Sequence, residues 1–100
     1  MLPNLLTPAE TQMLLARNCK DLRLITGYKR STLARKAGVS ESSLKRFENS
    51  GEISLKSLLL LSHALGRLQE FSSLFEATEA ETLAELRAGA EKKIPKRGRI

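Results

Sequence analysis

The sequence predicts an all-α fold, and three observations carry that expectation. Apolar residues recur three and four apart along most of the chain. Thr7, Ser40, Ser54 and Thr78 stand where helix amino ends need caps, and Gly27, Gly38 and Gly66 stand where helices must stop. No convincing strand interrupts the pattern. A chain of 100 residues suffices for one small domain with one core.

A first helix opens at Thr7-Pro8-Ala9-Glu10, with Thr7 as N-cap, Pro8 at the first helical position and Glu10 closing a capping box. Gly27 stops it. Leu15, Cys19, Leu22 and Ile25 or Thr26 form the expected buried stripe, which leaves Arg17, Lys20 and Arg23 largely off it. Met13 and Leu14, beside Leu2, Leu5 and Leu6, read either as core packing or as a dimer surface.

A second helix spans roughly Arg30 to Ala37, with Leu33, Ala34 and Ala37 inward. Gly38-Val39-Ser40 makes the turn: Gly38 permits positive φ, Val39 plugs the core, and Ser40 caps a third helix from about Glu41 to Asn49. Leu44 and Phe47, three apart, are its expected buried residues, and Glu41 suits the positive end of the helix dipole.

After the loop Ser50-Gly51-Glu52, Ser54 caps a fourth helix that Gly66 ends. Its Leu55, Leu58, Leu59, Leu61 and Leu65 should be largely interior. Leu68 to Leu74 is expected to form a fifth short helix, with Leu68, Phe71, Leu74 and Phe75 closing the core. Residues 1–75 therefore read as the folded domain. A second capping box, Thr78-Glu79-Ala80-Glu81, opens a further helix that Gly89 ends, and its apolar face of Ala80, Leu83 and Leu86 is thin. A helix of about ten residues is marginal in water without a surface to pack on. The last segment, KKIPKRGRI, is too charged and too rich in Pro and Gly to fold alone, so residues 76–100 read as a C-terminal helix and a flexible basic tail.

The net charge of +6 favours an anionic partner, and its distribution says more. Between Pro8 and Asn49 nine cations (Arg17, Lys20, Arg23, Lys29, Arg30, Arg35, Lys36, Lys45, Arg46) face four acids. Glu76 to Glu85 holds four Glu and no cation, and Arg87 to Arg99 holds six cations and only Glu91. The order basic, acidic, basic marks a functional division.

Cys19 is alone, which excludes a disulfide framework or a Cys-rich zinc site within one chain, and it reads as a packed thiol. His63, near leucines, reads as a partly buried structural residue. With one His, one Cys and no glycine-rich phosphate loop, no nucleophile, base and orienter set assembles, so neither an enzyme nor a metal or cofactor is expected. MLPNLLTPAE has no cationic region before its apolar patch, and Leu58 to Leu61 is far short of the roughly 20 residues that span a bilayer. The expectation is a cytoplasmic, nucleoid-associated protein with no membrane contact.

Lys29 to Asn49, KRSTLARKAGVSESSLKRFEN, carries the sharpest functional signal: two short amphipathic helices meeting at a glycine turn. A helix entering a DNA major groove presents its amino-terminal residues to base edges while its other side is held by the domain. With Leu44 and Phe47 inward, Glu41, Ser42, Ser43, Lys45 and Arg46 share the outer arc. Ser42 and Ser43 are short enough to let the helix approach the groove floor. Arg46 can make a bidentate contact to guanine, worth roughly 1–3 kcal/mol of discrimination. Lys45 suits a phosphate or a base at the site edge. Phosphate clamps are expected from Arg30, Lys29, Asn49, Arg23 and Lys56.

LARKAGVSESSLKRFENSGEISLKSLLLLSHALG resembles the helix-turn-helix of the Xre/Cro family of phage and bacterial repressors. Leu33, Ala34, Gly38, Val39, Ser40, Leu44, Arg46, Glu48, Gly51, Leu58 and Leu65-Gly66 fall at the family's positions, over about Leu22 to Leu74. The resemblance implies a five-helix, lambda-repressor-like fold and binding of double-stranded operator DNA as a two-fold homodimer. It implies base contacts at Ser42, Ser43 and Arg46, a phosphate contact at Arg30, and main-chain or phosphate capping at Asn49. Where the family commonly opens its second helix with Thr-Gln, this chain has Lys29-Arg30, which removes the usual cap and adds charge.

FSSLFEATEAETLAELRAG, followed by the basic tail, resembles HipB-type proteins, the DNA-binding members of HipA-kinase toxin–antitoxin operons. That likeness implies repression of the protein's own operon and binding to a HipA-like kinase, directly or within a larger complex, through Leu83, Leu86, Glu79 and Glu81. In three-component versions a different small subunit neutralises the toxin. Three other readings compete: a stand-alone Xre-type regulator with no toxin partner, a protein-interaction (antitoxin) module that keeps the helix-turn-helix as scaffold, and a non-specific nucleic-acid binder.

Overall fold

The computed structural model of the protein describes residues 6–87, and among them the order is α1 (Pro8–Thr26), α2 (Arg30–Ala37), α3 (Glu41–Ser50), α4 (Leu55–Ala64), a 3₁₀ turn (Leu68–Phe71) and α5 (Glu79–Arg87). These described residues contain no strand. None of their helices is long and apolar enough to cross a membrane.

The helix boundaries follow local chemistry. Glu10 N donates to Thr7 Oγ1 at 3.1 Å while Thr7 N donates to Glu10 Oε1 at 2.9 Å, a reciprocal cap at the start of α1. Ser40 and Ser54 accept from Ser43 N and Ser57 N, each at 3.1 Å, and open α3 and α4. Lys29 is the N-cap of α2 and supplies no side-chain cap, as the missing Thr-Gln pair implies. Gly38 ends α2 with φ 78°, and its N–H and that of Val39 both reach the Ala34 carbonyl, which reverses the chain into α3.

The chain divides after Glu70 into two compact units. In the first, α3 packs on α1 and α2, and α2 packs on α4. Ala16, Leu33, Ala34, Ala37, Leu44, Phe47 and Leu61 make the buried core, flanked by Cys19, Tyr28, Val39, Ile53, Leu58, Leu60, Ala64 and Leu65. Gly51 lies directly against α1: a Cβ built there would sit 2.9 Å from Gln12 Cβ and 3.0 Å from the Gln12 carbonyl carbon. Gln12 Nε2 donates to the Gly51 carbonyl at 3.3 Å, so the end of α3 is pinned to α1. The second unit contributes α5, opened by Thr78 and Glu81, whose backbone and side chains bond reciprocally at 2.8 and 3.0 Å.

Several expectations are corrected. The inward stripe of α1 runs through Ala16, Cys19 and Arg23; Leu15 and Thr26 are exposed and Ile25 is 81% exposed. Hydropathy alone follows the apolar residues, whereas this helix buries a paired arginine. On α4 only Leu61 is fully buried, and Leu55 lies open. The expected helix over Leu68–Leu74 is a single 3₁₀ turn, and Leu68, Leu74 and Phe75 are exposed, the last with φ 64°. A segment so short cannot repay helix nucleation, and Ser72-Ser73 gives it little help. His63 is exposed, not partly buried. Leu2, Leu5, Gly89 and the basic tail lie outside the described residues.

Candidate nucleic-acid interface

The sequence of α3 sorts its residues into two faces. Leu44, Phe47 and Glu48 are buried, and Ser42, Ser43, Lys45, Arg46 and Asn49 are exposed. Glu41, in the first turn, is exposed too. Ser40 Oγ lies 3.2 Å from Ser42 Oγ and donates to Ser43 Oγ at 2.7 Å, so three hydroxyls cluster at the amino end of α3.

Arg46 is exposed but not loose. Its Nε donates to Glu52 Oε1 at 3.0 Å, and its Nη2 donates to the same oxygen. Ser50 Oγ donates to the Arg46 carbonyl at 2.7 Å and accepts from Glu52 N at 3.3 Å. Ser43, Arg46, Glu52, Ile53, Ser54 and Ser57 line a cleft of about 350 Å³ between α3 and the start of α4.

Behind this face sits a buried ion-pair cluster. Arg23 Nε donates to Glu48 Oε2 at 2.7 Å and Arg23 Nη2 to Oε1 at 3.0 Å. Arg30 Nε donates to Oε1 at 2.8 Å, and Arg23 Nη1 donates to the Tyr28 carbonyl at 2.9 Å. One carboxylate thus ties α1, α2 and α3 together, and Arg23 carries the link on to the α1–α2 loop. Burial pushes the Glu48 carboxyl up, but hydrogen bonds from Arg23 and Arg30, and their charges, outweigh it and hold the group below its ordinary range.

The expected phosphate clamps divide accordingly. Arg23 is 5% exposed and committed to Glu48 and Tyr28, so it is no phosphate clamp: it is a structural residue of the fold. Arg30 spends its Nε on Glu48 and keeps its side chain about 32% exposed. Lys29, Asn49 and Lys56 are exposed. Lys56 lines a second cavity with Leu55, Leu59, Leu60, His63 and Leu68, none of which lines the Arg46 cleft. Lys36 Nζ stands 5.5 Å from the centre of the Tyr28 ring, a cation–π pair that leaves Lys36 exposed.

On α5, Glu81 serves its own helix as the capping acid, and those hydrogen bonds from Thr78 hold its carboxyl below the ordinary range. Glu79 and Leu83 are exposed, and Leu86 is half-buried. Among the described residues no three His, Cys, Asp or Glu side chains gather as a metal site would require.

Glu48, Glu52 and the Gln12–Gly51 contact were not assigned roles from sequence. Glu48 carried a signal, since it is an acid one position after Phe47 on the inward arc of α3. Its partner lies 25 residues away, where no periodicity links the two.

Compared with known families, residues 20–71, just over half of the chain, match the helix-turn-helix family model. Comparisons with curated proteins and with solved structures return no match.

Proposed function

The chain belongs to the Xre/Cro-type helix-turn-helix family, and from that premise we propose that it is a sequence-specific transcriptional repressor, binding a palindromic operator as a homodimer. The observation that supports this best is the division of α3, with Ser42, Ser43, Lys45 and Arg46 outward over a buried Leu44, Phe47 and Glu48. Base reading falls to Ser42, Ser43 and Arg46, with Lys45 at the site edge. Lys29, Arg30, Asn49 and Lys56 supply phosphate contacts, which fix register without reading sequence. The protein works by binding, without catalysis or cofactor.

Two half-sites one helical turn apart, about 34 Å, match a two-fold dimer. Selection from a pool of randomised duplexes tests the reading: it should yield a palindrome, and Arg46→Ala should relax preference at one base pair per half-site. Uniform weakening on every sequence would contradict the role of Arg46. Lys29→Ala should weaken binding evenly and make the salt slope shallower by about one.

The finer proposal places the protein as autorepressor of a HipA-like kinase toxin–antitoxin operon, touching the toxin complex through α5. The acid-rich, thin-faced α5 supports it, as does the likeness to HipB-type proteins. Deleting residues 76–100 should abolish co-purification with a co-expressed HipA-like kinase while DNA binding survives. A full chain that fails to retain the kinase would remove this part and leave the repressor reading standing.

A further inference from the structure

We propose that Glu52, in the loop after α3, is a positioning residue for Arg46: it holds one edge of the guanidinium and leaves the other to read a guanine. This rests on the reading of α3 as the base-reading helix. A guanidinium offers two parallel donor pairs, Nε with Nη2 along its side and the two terminal Nη groups at its end. Glu52 Oε1 takes the side pair, receiving both Nε and Nη2. That contact leaves Nη1 and the second hydrogen of Nη2 at the end of the guanidinium, the pair a long side chain would extend toward O6 and N7 of guanine.

Glu52 is itself held. Its N–H donates to Ser50 Oγ at 3.3 Å, and that hydroxyl donates to the Arg46 carbonyl at 2.7 Å. The backbones that carry the two partners are therefore linked through one serine, and the ion pair spans the cleft that Ser43 also lines. An arginine that is 70% exposed otherwise samples many rotamers, and ordering it at the groove would cost binding free energy. A carboxylate of the same chain removes part of that freedom beforehand. It also offsets one cation beside the phosphates. Glu52 should thus weaken attachment to arbitrary duplex while sharpening the choice of base.

The test uses the full chain, the duplex selected from a randomised pool, and the same duplex changed at the base pair that Arg46→Ala ceases to prefer. Glu52→Ala should lower discrimination at that base pair by about two- to fivefold, the range that exposed ion pairs span, and should bind random duplex more tightly. Glu52→Gln still accepts hydrogen bonds and should recover part of the discrimination. In an Arg46→Ala background, Glu52→Ala should change discrimination no further. Thermal unfolding of Glu52→Ala should match the parent, because both side chains are exposed. Unchanged discrimination in Glu52→Ala, or an equal drop when Arg46 is already absent, overturns the positioning role and leaves base reading by Arg46 intact. If Arg46→Ala keeps every preference of the parent, base reading fails and the assignment of Glu52 fails with it.

Discussion

The guanidinium of Arg23 meets the carboxylate of Glu48 side-on, with Nε 2.7 Å from Oε2 and Nη2 3.0 Å from Oε1, inside a fold whose neighbouring buried groups are apolar. Arg30 adds a third bond to the same carboxylate at 2.8 Å. No buried side-chain polar atom among the described residues is left without a partner. That completeness decides the energetics: a buried pair helps little over an apolar pair of the same shape, yet halving it is severe.

Glu48→Ala should therefore destabilise the protein by about 3–5 kcal/mol, since it strands Arg23 without its acceptor. Chemical denaturation measures this. The double replacement Arg23→Met with Glu48→Leu should recover most of the loss, because it removes the two deeply buried charges at once and the remaining Arg30 side chain is about 32% exposed to water.

Acid should act through the same carboxylate. Glu48 titrates below its ordinary value of 4.5 in the folded chain, so the unfolded chain binds its proton first as pH falls. The stability this group supplies is complete above the ordinary carboxylate range and is lost as pH drops through its depressed folded value. Denaturation midpoints should hold from neutrality down to about 4.5 and then decline. Glu48→Gln should flatten that decline, with a remainder from Glu10 and Glu81, which their caps also hold low.

Gly51→Ala should cost more than Gly38→Ala. Both glycines have positive φ, 79° and 78°, which costs an L-residue about 1–2 kcal/mol. Only at Gly51 does the added Cβ also meet backbone, at 3.0 Å from the Gln12 carbonyl carbon; at Gly38 the space is open. Equal losses in thermal unfolding would contradict the close approach of α3 to α1.

Cys19 should be inert while the protein is folded. Burial, then the charge of Glu48, against a smaller opposing effect of Arg23, push its thiol up to about 11. At pH 7 only about one molecule in ten thousand carries the thiolate. A thiol-exchange reagent should react about a hundredfold or more slowly compared with the unfolded chain. Rapid native labelling would contradict the packed environment.

Local chemistry made much of this molecule legible from sequence. The caps at Thr7, Ser40, Ser54 and Thr78, the stops at Gly27, Gly38 and Gly66, and the inward residues Leu33, Ala34, Ala37, Leu44 and Phe47 follow from spacing and side-chain type. Arg23 did not, because a charged residue on a helix reads as solvated until its partner is known, and Glu48 lies on another helix. Leu55, Leu68, Leu74 and Phe75 failed for the opposite reason: apolar character shows what can be buried, not whether a neighbour covers it. At the candidate interface, the outward arc of α3 could be read from periodicity, whereas the Arg46–Glu52 pair depends on a loop that carries no periodicity.

The two faces of α3 answer to different demands. Leu44, Phe47 and Glu48 are buried and bear the architecture, while Ser42, Ser43 and Lys45 are exposed. Under the base-reading role proposed for α3, exchanging those three exposed residues should redirect the protein to new target sites at small cost in foldedness. The buried face is thus fixed by the fold, and the outer arc of α3 is left open to substitution.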